Sequence, residues 1–156
     1  MGSWREHNAG LTLIELLVVI TILSILAAGI LPLSQMTYKR TREIELRQNL
    51  RVIRKAIDQY KQLVDEQKIK IQALSSGYPE TLEILVKGVE VGSGPVPVKM
   101  KLLRHIPRDP MTEDGEWGMR SYSDDYQSDI WGGQDVYDVH SKSDKQALDG
   151  SNYRDW

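Results

Sequence analysis

The sequence predicts an α+β chain. A long N-terminal helix, half membrane span and half amphipathic, packs on a small antiparallel sheet and is followed by an acidic C-terminal loop. Three observations predict it. Leu11 to Leu31 is a run of 21 residues with one ionisable side chain, Glu15. An apolar stripe at spacings of four and three then runs from Leu46 to Val64. Past Gly77, short β-type patterns alternate with turn residues.

Residues 1–10, MGSWREHNAG, form a short polar leader. The apolar run that follows is about 31 Å long as a helix, at roughly 1.5 Å per residue. That length matches a hydrocarbon core of about 30 Å. The run has no polar face, so residues 11–33 read as a transmembrane half. An ordinary secretory signal would be shorter and end in a small-x-small site. Ala27-Ala28-Gly29 imitates such a site, but the apolar run continues through Ile30 and Leu31.

Glu15 lies about one turn into the span. A carboxylate at mid-bilayer costs on the order of 3 kcal/mol, less near an end, and is a functional candidate by default. The bland alternative is a group that snorkels to the interface or stays protonated. A cut after Gly10 would give Leu11 a free amine four residues from that carboxylate. Pro32 removes one N–H and leaves the Ala28 carbonyl without its i+4 donor, so Gly29 and Pro32 mark a candidate kink.

Residues 34–66 read as the amphipathic half. Leu46, Leu50, Ile53, Ile57, Tyr60 and Val64 form its stripe, which Val52, Ala56 and Leu63 widen. Arg47, Arg51, Arg54, Lys55, Asp58 and Lys61 fill the other face. The stripe covers fewer than three heptads, so it is expected to dock on its own domain, 67–156, and not in a coiled coil. In that domain Gly77-Tyr78-Pro79 is a break. Pro79-Glu80-Thr81 opens a short helix with Leu82, Leu85 and Val86 inward, and Lys87-Gly88 ends it. Val89 to Pro97 reads as a loop. Leu102, Leu103 and Ile106 cover the core before the turn Pro107-Arg108-Asp109-Pro110. Strands are expected over 118–123 and 135–141, with Val136 inward together with Val139 or Tyr137.

Composition excludes several classes. The 156 residues carry a net charge of −2 and no cysteine. There is no disulfide staple, thiolate nucleophile or cysteine metal site, and no basic field for nucleic acid. His140 near Asp138 and Ser141 is a weak hydrolase signal. Strand alternation would put Asp138 and His140 on one face and Ser141 on the other, and no nucleophile elbow accompanies them. The chain is read as a non-enzyme, with His105 and Asp109 as ordinary residues of the turn. In 141–156, Asp144, Asp149, Asn152 and Asp155 offer hard oxygen ligands suited to calcium. Their spacing is not that of an EF-hand, and on residue types alone a solvated acidic loop is the simpler reading.

The stretch G-LTLIELLVVITILSILAAGIL-P, from Gly10 to Pro32, resembles the class III signal of type IV pilins and pseudopilins. It departs from the usual pattern at Leu11, where Phe or Met is common. The resemblance implies a pilin-like fold, cleavage by prepilin peptidase between Gly10 and Leu11, and N-methylation of Leu11. It also implies that Glu15 directs filament assembly and that Pro32 is the family's helix-interior proline. Tyr78-Pro79, Ile106-Pro107-Arg108-Asp109-Pro110, Tyr137-Asp138-Val139 with Ser141, and Trp156 resemble the major pseudopilin of type II secretion systems. That resemblance implies a structural subunit polymerising into a periplasmic pseudopilus that supports protein export. Its expected partners are its own copies, minor pseudopilins, the prepilin peptidase and an inner-membrane assembly platform, with no nucleic acid. It implies a single-pass protein of the bacterial inner membrane with a periplasmic domain, against the positive-inside reading of Lys39, Arg40 and Arg42. It further implies a calcium ion held by Asp144, Asp149, Asn152 and Ser141. The alternatives are a type IV pilin of a surface fibre and a membrane-anchored binding module that does not polymerise.

Overall fold

The computed structural model describes residues 10, 12–71, 75–92 and 98–156, with 29–33 described for the backbone alone. The chain divides into two compact units, 1–39 and 40–156. Helix α1, Leu13–Asp65, contributes to both. It begins two residues inside and ends one residue inside the two halves expected over 11–33 and 34–66.

In the first unit the described side chains of α1 from Leu13 to Leu26 include 11 large apolar groups, all between 46 and 84% exposed. The two hydroxyls in this stretch do not break its apolar character. Thr21 and Ser24 each donate to the carbonyl four residues back, Leu17 and Ile20, at 2.8 Å. Among the described residues no helix is long and apolar enough to cross a membrane. The described apolar side chains end at Ala28. Leu11 and residues 29–31, which complete the run in the sequence, lie outside them, as does the side chain of Pro32.

The second unit is built on α1 from residue 40 onward. Leu46, Leu50, Ile53, Ile57, Tyr60 and Val64 are all buried, and Ala56 with them. Spacings of four and three put them on one helix face, and that face covers its own domain. Val52 does not widen the stripe; it is 45% exposed.

After α1, the short helix α2 spans Leu82–Lys87 and buries Leu82 and Leu85. It ends at Gly88, whose φ of 89° suits a residue without a Cβ. The first residues of the loop expected over Val89 to Pro97 form a strand instead. β1, Val89–Val91, pairs antiparallel with β2, Val98–Met100, with Val89 opposite Met100. Two three-residue strands flanking Gly- and Pro-containing sequence are too short to show alternation, which is why the pattern read as a loop. Residues 93–97 lie outside the described set.

β3, Trp117–Arg120, pairs antiparallel with β4, Asp138–Ser141, with Trp117 opposite Ser141. The expected antiparallel sheet is this β3–β4 ladder, and β1–β2 is a second, separate two-stranded ladder. β4 begins three residues later than expected, because Val136 N–H donates to the Pro79 carbonyl at 2.7 Å and leaves the ladder. Val136 and Val139 are both fully buried, and Tyr137 between them is exposed. A 3₁₀ turn, Tyr153–Asp155, closes the unit and buries Tyr153.

Candidate functional site

Two regions carry the candidate chemistry, and they belong to different units. The first is the start of α1. Thr12 precedes the helix, and its Oγ1 accepts the N–H of Glu15 at 3.2 Å. That is an N-cap bond, and Thr12-Leu13-Ile14-Glu15 has the T-x-x-E spacing of a capping box. Sequence reasoning read Glu15 as a candidate partner for the Leu11 amine and missed this local signal. Gly10 is exposed, with nothing within 4 Å of where a Cβ would lie. Leu11, expected as the cleavage and methylation residue, lies outside the described residues. So the pairing of Glu15 with its amine is not described.

The second region is the attachment of the C-terminal segment to α1. Glu43 is buried on the helix, and its Oε1 accepts Leu148 N–H at 2.8 Å and Tyr153 O–H at 2.9 Å. Burial, then the hydrogen bond to Glu43, pushes the Tyr153 phenol up to about 12. About three turns along, Arg54 donates to both oxygens of Asp138, at 2.7 and 3.2 Å. It also donates to the Val139 and Trp156 carbonyls at 3.0 and 2.9 Å. The fork geometry of guanidinium suits this four-way contact. Arg47 adds an ion pair to Asp149 at 3.2 Å and lies 4.0 Å over the Trp156 ring. Arg47 and Arg54 were read as part of the charged face opposite the stripe; they tie the last residues to the helix. Glu43 was overlooked, although it continues the buried stripe three residues before Leu46.

The four residues expected to hold calcium are not drawn together. Ser141 is fully buried, and its Oγ donates to Asp109 Oδ2 at 2.6 Å while accepting Ser143 N–H at 3.1 Å. Asp144 pairs with Arg154 at 3.3 Å, and the same guanidinium reaches Asp129 at 3.1 Å. Asp149 accepts the Ser151 hydroxyl at 2.6 Å and its N–H at 3.0 Å, contacts that with Arg47 hold its carboxyl below the ordinary range. Asn152 bridges to Gln146 through the backbone. Among the described residues no group of three or more His, Cys, Asp or Glu is placed to hold a metal ion. As arranged, the set does not fit a calcium cage; arginines supply the positive charge at Asp144 and Asp149.

Asp109 was read as an ordinary turn residue and is in fact buried. Its Oδ1 accepts Met111 N–H at 2.8 Å, so one carboxylate joins the Pro107–Pro110 turn to β4. His105, two residues before that turn, is exposed. His140 is buried beside Gly118, and its Nδ1 has no hydrogen-bond partner among the described residues. Burial, then the charge of Arg120, lowers its pKa to about 4. Ser141 Oγ is engaged with Asp109 and not with this ring.

Residues 5–31 match the family model described as the prokaryotic N-terminal methylation motif. No curated protein and no solved structure matches the chain. Residues 5–31 thus carry an N-terminal methylation motif, and the match covers that stretch alone.

Proposed function

We propose, from the methylation motif at residues 5–31, that this chain is a subunit processed between Gly10 and Leu11 and polymerised into a filament. The single observation that carries the reading is that motif standing at the head of a 53-residue helix. The same helix presents apolar side chains on every side in its first unit and docks a small α+β domain in its second. The first half serves as an inner-membrane anchor before assembly, with the domain on the periplasmic side. Glu15 then pairs with the Leu11 amine of a neighbouring copy. Such a subunit is structural and does no chemistry on a substrate.

Within that class the proposal favours a type II secretion pseudopilus over a surface fibre. The contact between Asp109 and Ser141 supports this, because it joins the two sequence motifs that carry the subfamily resemblance. Minor pseudopilins and an assembly platform are then the partners. Calcium enters the proposal in a narrower form: an ion would have to draw Asp144 from Arg154 and Asp149 from Arg47.

The test is expression of the full chain in a host with active prepilin peptidase. Mass spectrometry should show a chain beginning at Leu11, and electron microscopy should show filaments. Glu15→Ala should still insert, because the span becomes more apolar, and should abolish filaments. An intact leader, or normal filament yield from Glu15→Ala, would refute the reading.

A further inference from the structure

The second unit carries two surfaces that complement each other in charge. The first is a groove of about 320 Å³ lined by Arg47, Leu50, Arg51, Arg54 and Trp156. Arg47 and Arg54 have carboxylate partners in Asp149 and Asp138. Arg51 has no acidic partner among the described residues. Its Nε donates to the Arg47 carbonyl at 3.3 Å, and the side chain is exposed. Three guanidinium groups thus meet two carboxylates, beside an indole.

The second surface is the loop between β3 and β4. From Ser121 to Ser141 there is no Lys or Arg, and Asp124, Asp125 and Asp129 fall within six residues. Asp124 is spent inside the loop on the N–H groups of Ser121 and Gly132. Asp129 pairs with Arg154. Asp125 is exposed and caps only Gln127 N–H. Beside it Tyr126 is 78% exposed, and Ile130 82%. A carboxylate next to an exposed phenol ring is what a guanidinium next to an indole would bind, through an ion pair and ring stacking. Arg, Tyr and Trp are also the side chains that dominate binding hot spots.

We propose that the Asp125–Tyr126 tip of one copy docks in the Arg51 groove of the next. The occupant is a second copy because both halves of the match lie on this chain. Two different patches make the contact heterologous, so it leaves one free patch at each end and propagates. A net charge of −2 sets little repulsion against it. This inference rests on the filament reading above and names the surfaces that mate within it.

The absence of cysteine makes the test direct. In the full chain, Arg51→Cys and Asp125→Cys are made singly and together, assembled in the peptidase-active host, and treated with a short bis-maleimide. The double variant should give a ladder of cross-linked copies, a mixture of the two single variants should give dimers, and each single variant alone should give neither. Arg51→Glu and Asp125→Arg should each reduce filament yield about tenfold or more, the effect of losing one close charge pair, and the two together should restore it. Both positions are exposed, so thermal unfolding of the full chain should not move. Wild-type filaments that form without the cross-link, and tolerate either charge reversal, would overturn this inference and leave the filament reading standing. Cross-links from Arg51→Cys to another protein only would overturn it in favour of an acidic partner. No wild-type filament would overturn both.

Discussion

Gly118 and His140 face each other across the β3–β4 ladder, and the imidazole occupies the space a side chain would need. A Cβ at Gly118 would lie 2.3 Å from His140 Nε2 and 2.5 Å from Cε1. The ring is buried and cannot swing away, so Gly118→Ala is expected to cost about 1–3 kcal/mol, the range for overpacked cores. Urea unfolding of residues 40–156 measures it. The same histidine sets a pH dependence. Its folded pKa of about 4 lies below the ordinary 6.5. Between those values the unfolded chain binds the extra proton, so stability falls as pH drops from 6.5 toward 4 and levels below that. The charged groups around the ring are Arg120, Asp138, Arg154 and Asp129. At roughly 1.4 kcal/mol per pH unit the full loss is about 3 kcal/mol. His140→Asn should flatten this part of the profile; a wild-type stability that is level from pH 7 to 4.5 would contradict it.

At the scale of elements, the attachment of the C-terminal segment to α1 is the feature most open to a single substitution. Glu43→Ala leaves Leu148 N–H and Tyr153 O–H without their acceptor. The expected cost is about 1.5–3 kcal/mol, the range for bonds to a charged group. Tyr153→Phe removes one of those two bonds and should cost less. Hydrogen exchange should show faster loss of protection over 145–156 in Glu43→Ala, with α2 and the β1–β2 pair unchanged. Most of α1 was legible in the sequence, because six stripe residues at helical spacing outweigh any local propensity. Glu43 and Arg54 were not legible. A charge on a helix looks solvated until the residues that cover it, more than 80 positions away, are known. β1 and β2 were hidden for a different reason: three-residue strands carry too few alternations to stand out from a loop. The calcium set was suggested by residue type and resemblance. What the sequence did not show was that Ser141 faces Asp109, and that arginines reach the aspartates.

For the molecule as a whole, the division at residue 40 predicts that 40–156 folds without the first unit. A soluble fragment starting at Arg40 should unfold in one cooperative transition. The same fragment tests calcium. Ligand that binds only the folded state stabilises by RT ln(1 + [L]/Kd), which is roughly 0.4–1.4 kcal/mol at millimolar calcium for a site of about 10⁻³ to 10⁻⁴ M. A rise in Tm of that size, lost in Asp144→Ala and Asp149→Ala, would show the ion displacing the arginines. Identical melts in calcium and in chelator would leave the segment held by Glu43, Arg47 and Arg54 alone.

The span between Glu43 and Tyr153 also fixes an order of events during synthesis. The two residues that meet in the buried contact are 110 positions apart. At ribosomal rates of about 5–20 residues per second, the helix is made roughly 5–20 s before its last covering residues exist. Through that interval the stripe from Leu46 to Val64 has no Val136, Val139 or Tyr153 to cover it. The nascent chain must therefore travel with this face bare or shielded by something else, and until Tyr153 is made Glu43 has at most the Leu148 N–H of its two described donors.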